Sequence, residues 1–323
     1  MLQDNFGRRF HYLRLSITDL CNFRCNYCLP EGNACDSPRN FLNLTEIGTL
    51  VAAFARLGTS KVRITGGEPA LRKDLPEIIR RCKHTPGIEK VALTTNGFSL
   101  VRQIDELKEA GLDAINVSAD SLDPRMFAAI TGKNSLQDIL DGVELAIERG
   151  IETVKLNTVL LRQYNHHDME SFFGFLKHKR LTWRFIELMQ TGDNQAFFQQ
   201  NHVAGENLKT KLIQQGWQRI IASKQAGPAQ EFSHPDYQGR IGLIMPYSKD
   251  FCDSCNRLRV SSDGKLHLCL FAEQGLDIRA SLSAGDVEAT CQAISNLLLS
   301  KTAGHKLQQG FTGAIRQLAM LGG

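Results

Sequence analysis

The stretch Cys21-Asn22-Phe23-Arg24-Cys25-Asn26-Tyr27-Cys28 sets three cysteines at C-x3-C-x2-C spacing. Thiols this close together form a covalent centre that the surrounding chain must be built to hold. Three thiolates can bind three irons of a cubane cluster that normally takes four cysteines, which leaves one iron open to another ligand. Zinc with a fourth ligand from elsewhere fits the residue types too, as does a redox pair with a spare thiol. The run Tyr12 to Thr18 alternates apolar and polar residues, so the cysteines sit on the loop leaving a strand.

A second group, Cys252-x2-Cys255-x13-Cys269, lies far along the chain. Zinc with His267 as fourth ligand is an open reading, since His267 and Cys269 are two apart on a predicted strand and point the same way. An open iron beside Arg257 and Arg259 is the other, and suits an anionic substrate. Nine cysteines in 323 residues, six of them in these groups, do not read as a disulfide framework. Cys35, Cys82 and Cys291 read as ordinary half-buried thiols. Reduced thiols with metal suggest a cytoplasmic protein. The start Met-Leu-Gln-Asp has no apolar core of a leader, and no run of about 18 apolar residues occurs, so neither secretion nor membrane spanning is expected. The net charge of +4 is too mild to suggest nucleic acid.

Between the cysteine groups, strands and helices alternate at short spacing. Strands are expected at 61–65, 90–94, 113–118, 153–159 and 181–186. Helices are expected at 42–57 with Thr45 as N-cap, then 74–83, 100–110, 124–130, 136–149 and 166–178. With the first strand this gives six parallel β/α units, a barrel or partial barrel. From Gln190 the pattern loosens, with a helix expected at 206–215 and a strand at 239–245. The expected domains are 1–190, the barrel, and 191–323, an extension.

Strand parity carries the functional signal. Leu13, Leu15, Val62, Ile64, Ile115, Val117, Val154 and Leu156 form apolar faces, opposite Arg14, Lys61, Arg63, Asn116, Lys155 and Asn157. With the apolar face outward against the helices, the inner face is polar and basic. Buried cations need partners. Apart from Glu187, carboxylates on these faces are too few, so the interior is expected to hold a polyanion. Gly66-Gly67-Glu68-Pro69 ends the second strand, where paired glycines let a ligand approach the backbone; a plain tight turn is the alternative. Thr94 and Ser118, at the ends of the third and fourth strands, are candidate hydrogen-bonders there.

These motifs resemble those of the radical SAM superfamily, in which the open iron chelates S-adenosylmethionine (SAM). Both cysteine groups, the segment Leu13 to Asp19, Lys61 to Pro69, Arg184-Phe185-Ile186-Glu187 and Ser261 to Lys265 further resemble the GTP 3′,8-cyclase family that opens molybdenum cofactor biosynthesis. The resemblance implies an incomplete (β/α)6 barrel with a C-terminal extension carrying a second [4Fe–4S] cluster. It implies Cys21, Cys25 and Cys28 on one cluster and Cys252, Cys255 and Cys269 on the other. Tyr27, Gly67, Ser118 and Met189 would contact SAM. Arg14, Arg63, Thr94, Lys155, Arg257, Leu258 and Arg259 would contact GTP, and the Gly322-Gly323 tail would serve catalysis. An electron donor, the next enzyme of the pathway and a homodimeric partner are implied as well. The stretch 271–321 matches the family poorly. Two rival functions remain: a radical SAM maturase acting on a peptide, and a zinc-stabilised nucleic-acid-binding protein. Iron with acid-labile sulfide, as against zinc without it, separates the last from the others.

Overall fold

The computed structural model describes residues 1–33, 39–221 and 227–322, so Cys35 and Gly323 lie outside the described residues. The first part supplies β1 (Tyr12–Ser16), β2 (Lys61–Thr65), β3 (Lys90–Thr95), β4 (Ala114–Ser118), β5 (Thr153–Leu160) and β6 (Thr182–Glu187). The second adds β7 (Gln218–Arg219), β8 (Gln230–Ser233), β9 (Arg240–Ile244), β10 (Arg257–Val260), β11 (Lys265–His267) and β12 (Leu276–Asp277). Among the described residues these form one sheet in the order β12-β11-β10-β1-β2-β3-β4-β5-β6-β9-β8-β7.

The six expected units are present and run parallel, but the sheet does not stop with them. β10 adds to β1 and β9 to β6, both in parallel, so the curved wall is eight strands wide. The remaining strands pair antiparallel at the two edges. The two ends of the order are not hydrogen-bonded to each other, and the barrel is open.

Period-two alternation decides what each face does. Leu13, Leu15, Val62, Ile64, Ile115, Val117, Val154 and Leu156 all enter one apolar core between sheet and helices. Their polar neighbours are therefore left facing the lumen. Cys82 and Cys291 are also buried in that core, deeper than expected for half-buried thiols.

The first helix, Leu44–Arg56, is capped by Asn43 rather than Thr45. Asn43 Oδ1 accepts from the Thr45 and Glu46 amides at 2.9 Å, and Glu46 Oε2 accepts from the Asn43 amide at 2.9 Å. That reciprocal capping box satisfies two amides the helix leaves open. Glu46 also receives Arg279 (3.1 and 3.0 Å) and Ser283 (2.6 Å) from the C-terminal part. The same carboxylate therefore starts a barrel helix and ties it to the helix Arg279–Ser283. Asn43→Ala should cost about 1 kcal/mol as a lost cap. Glu46→Ala should cost about 3 kcal/mol, because it also leaves a mostly buried Arg279 without its carboxylate. Denaturant unfolding checks this; equal losses would mean that the tie to Arg279 contributes nothing.

Candidate active site: two cysteine groups across a cationic lumen

Register fixes where the cysteine groups sit. Cys21, Cys25 and Cys28 follow the C-terminal end of β1. Arg257 of β10 pairs with Tyr12, the first residue of β1, so Cys255 precedes the other end of the sheet. β11 runs antiparallel to β10 and returns Cys269 to that same end. The two groups thus lie at opposite ends of the lumen.

A cavity at the C-terminal end is lined by Cys21, Cys25 and Cys28 together with Tyr27, Gly67, Ser118 and Met189. Gly67 is needed by sterics: a Cβ there would strike the Leu20 carbonyl. Its amide donates to the Thr18 carbonyl at 2.8 Å, drawing the end of β2 against the cysteine loop. The Glu68 carboxylate is fully engaged by the protein. It accepts from the Ala70 amide (2.9 Å), the Thr95 hydroxyl (2.7 Å) and the Asn96 amide (2.6 Å). Burial nevertheless raises it to about 7 against those bonds. Tyr27 donates to Asp120 Oδ2 at 2.8 Å, and Asp120 Oδ1 accepts from the Val159 amide at 2.8 Å. Burial pushes the Cys28 thiol up to about 12 and Cys25 well above its usual range. Buried thiols of this kind favour a proton or a metal ion over free charge.

The second cavity runs along the lumen to the other end. Tyr12, Arg14, Lys61, Arg63, Arg184, Arg257 and Arg259 line it with Thr94, Asn116, Asn157, Cys252, Cys255 and Cys269. Among the described residues no Asp or Glu lines it. Among the described residues, Arg184 Nε, Arg259 Nε, Asn116 Oδ1 and Asn157 Oδ1 are buried without hydrogen-bond partners, an arrangement that suits a polar ligand. Burial first, then Arg259, Arg63 and Arg257, bring Arg14 down to about 9. At Cys255 burial is outweighed by Arg257 and Lys301, which hold its thiol below the ordinary value. Thr94, Asn157, Ile186 and Met189 border both cavities, so a ligand in one lies next to a ligand in the other.

Each cysteine triplet lines one cavity, yet among the described residues no three His, Cys, Asp or Glu side chains converge on a single ion. Three thiols that share a cavity can take three irons of a cubane cluster, or three positions of a zinc site. His267 does not join Cys269. β11 ends at His267, and His267 lines a separate cleft with Asp263 and Lys265.

Three residues considered for the lumen stand outside the lining of the main cavity. Lys155 does not line the main cavity; its ammonium donates to Glu231 Oε1 at 2.7 Å, and Arg184 donates to the same oxygen at 3.2 Å. Gly242 stands in register between Arg184 and Glu231; a side chain there would press on Arg184, so the bridge crosses β9 over a bare backbone. Burial and Arg184 bring Lys155 down to about 8 despite Glu231. Leu258 turns its side chain into the apolar core, leaving only its backbone for a ligand. Glu187 pairs with His202 at 2.8 Å, not with a barrel cation.

The tail closes the site. Leu318, Ala319 and Gly322 line the C-terminal cavity, and Arg14 donates to the Gly322 carbonyl. Leu318 and Leu321 pack with Leu270 and Phe271, against Tyr27, Cys28, Met189 and Cys269. Gly322 has φ +60° and would drive a Cβ into Thr65, so glycine is required there. Sequence reasoning missed Tyr12, Asp120 and Glu231. Tyr12 shares the parity of Arg14 and was open to that argument. Glu231 lies in the loosely patterned region and gave no signal.

A family model described as the radical SAM superfamily matches residues 15–176, and one described as Molybdenum Cofactor Synthesis C matches 181–307. GTP 3′,8-cyclase of Vibrio vulnificus (strain CMCP6) is 53% identical, covering 99% of this chain and 97% of its own. That of Shewanella denitrificans is 53% identical over 100% and 96%. The likeness therefore extends through 271–321, the stretch that by itself matched the family poorly. Among solved structures, Streptococcus suis SuiB bound to S-adenosylmethionine shares the fold at TM-score 0.64 and 13% identity, covering 97% of this chain and 77% of that one.

Glu231→Gln should lower stability by about 2 kcal/mol, since it strands two mostly buried cations. Inorganic triphosphate should then raise the variant's melting temperature more than the parent's. Identical melting and identical response would show that the Glu231 bridge is idle.

Proposed function

This chain belongs to the radical SAM superfamily and, within it, to the GTP 3′,8-cyclase family of molybdenum cofactor synthesis, a family of lyases, and from that membership we propose how its own residues serve the reaction. The observation that carries the proposal is the lumen itself, with a cysteine triplet at each end and, among the described lining residues, cations without carboxylates between. Family membership brings SAM and one [4Fe–4S] cluster, which Cys21, Cys25 and Cys28 would hold. Cys252, Cys255 and Cys269 would hold a second [4Fe–4S] cluster at the far end. At the first cluster the chemistry supplied would be one-electron cleavage of SAM to methionine and a 5′-deoxyadenosyl radical, which would take H3′ of GTP; closure of C3′ on guanine C8, with one further electron from the donor and a proton at N7, would give (8S)-3′,8-cyclo-7,8-dihydroguanosine 5′-triphosphate.

The chain's task is placement, because such a radical attacks the nearest hydrogen. Tyr27, oriented by Asp120, and Gly67, Ser118 and Met189 would seat SAM. Glu68 would act on the shape of that seat through its own network, leaving the Gly66-Gly67 backbone to meet the ligand. Arg14, Arg63, Thr94, Arg257 and Arg259 would hold GTP, with Leu258 offering its backbone. Lys155 would join them where a phosphate outcompetes Glu231. Gly322 and Gly323 would keep the ribose aligned where the two cavities meet. The functional division is 1–190 for SAM chemistry and 191–323 for the second cluster and tail. An electron donor and an enzyme receiving the product complete the cycle. A homodimer and a cytoplasmic setting are part of the same reading. No helix among the described residues is long and apolar enough to cross a membrane, and metal-bound thiols favour reducing surroundings.

Anaerobic incubation of the reconstituted protein with GTP, SAM and dithionite, followed by mass analysis, tests this reading. The cyclised nucleotide should form, and deuterium at C3′ of GTP should reappear in 5′-deoxyadenosine. Cys269→Ser should retain some SAM cleavage but lose cyclisation; cyclisation at the parent rate would remove the second cluster from substrate binding. Deleting Gly322-Gly323 should leave iron content and GTP affinity within about twofold while cyclisation falls by at least about tenfold, a loss confined to the chemical step. A truncated enzyme as fast as the full chain would make the tail an ordinary loose end.

A further inference from the structure

The cavity's charge does not balance by itself. Arg14, Lys61, Arg63, Arg184, Arg257 and Arg259 line it, without a carboxylate among the described lining residues. The cysteines there are committed to metal in the holoenzyme. Glu231 relieves only Arg184, from the side. Apart from the thiolates held on metal, one further group among the described lining residues can become an anion: the phenol of Tyr12.

Its placement suits that task. Tyr12 is 6% exposed and stands on the inner face between Arg257 of β10 and Lys61 of β2. Arg63 Nε donates to its oxygen at 2.5 Å, and Lys61 Nζ lies 5.1 Å from the ring centroid. Arg14 and Arg259 follow one step along the same faces, and Arg184 faces them from β6. Every charged group turned toward Tyr12 from β1, β2, β6 and β10 is a cation.

We propose that Tyr12 is the counter-ion of the empty substrate site, a phenolate that takes up one proton from solvent when a polyphosphate enters. This rests on the reading of the cavity as the GTP site. Burial alone would raise the phenol, but Arg63, Arg14 and Lys61 outweigh it and bring it down to about 7. An entering polyanion offsets those cations and adds its own repulsion, so the phenol regains its proton. Only O–H bond formation at Tyr12 is involved, with water or buffer as the acid. The direction of the pH effect follows. Above about pH 7 the empty site has lost the proton and the filled site keeps it, so affinity falls as pH rises, by up to about tenfold per unit. Ionisation of the GTP terminal phosphate acts oppositely and equally on any variant.

The test is calorimetric titration of the reconstituted enzyme with GTP at pH 8, in buffers of different ionisation enthalpy, for the parent and Tyr12→Phe. The parent should take up nearly one proton per GTP more than the variant, and neither should take up protons with guanosine. Across pH 6.5 to 8.5 the ratio of parent to variant affinity should fall by about tenfold or more. Equal proton uptake by the two, or a flat affinity ratio, overturns the counter-ion role while leaving the GTP site standing. A parent that binds GTP no better than guanosine overturns the GTP site, and the role of Tyr12 with it.

Discussion

Like charge gathered inside a protein is the constraint on which this structure turns. Isolated cations are costly to bury, yet Arg14, Arg63 and Arg259 occupy paired positions on β1, β2 and β10, with Arg184 facing them from β6. Burial first, and then the neighbouring arginines, bring Arg14 down to about 9. The protein tempers this with small devices: the phenol of Tyr12, the tail carbonyl against Arg14, and Glu231 reaching across Gly242. What these leave unmet is a set of buried polar atoms aimed into one space. A site that is strained by its own charge when empty favours a polyanion and little else.

The C-terminal part is structural as much as functional. Its strands β9 and β10 extend the parallel wall at both edges, so cations from residues 14 and 63 meet those from 257 and 259 on one surface. Glu46 anchors the far helices through Arg279, and the final residues pack between the two cysteine groups. Removing any of these would alter the position of one end of the lumen relative to the other. Radical chemistry between two bound molecules depends on that distance.

The two cysteine groups differ in electrostatic setting. Burial and mutual repulsion raise Cys25 and Cys28, beside the Tyr27–Asp120 pair, whereas Arg257 and Lys301 hold Cys255 down. The first group faces a cavity containing a buried carboxylate, a setting that suits a cation. The second faces arginines, a setting that suits an anion. Charge thus distinguishes the two adjoining spaces.

Much of this was legible in the sequence, for reasons of geometry. Cysteine spacing fixes which thiols can share a centre, because three or fewer intervening residues cannot carry them apart. Strand parity put Arg14, Arg63 and Thr94 on a lumen face, because alternation is a property of the extended backbone. The glycines at 67 and 322 stand where any Cβ would collide. Pairing across long separations was not legible. Nothing local told that β10 adds to β1, that Glu231 takes Lys155 out of the cavity, or that His267 and Cys269 open onto different spaces. Those outcomes depend on which strands become neighbours, and the sheet settles that by burying the best total apolar face. Local pattern therefore determined the chemistry each segment can offer. Tertiary structure alone decided which of those groups meet, because a side chain's partner comes from another part of the chain.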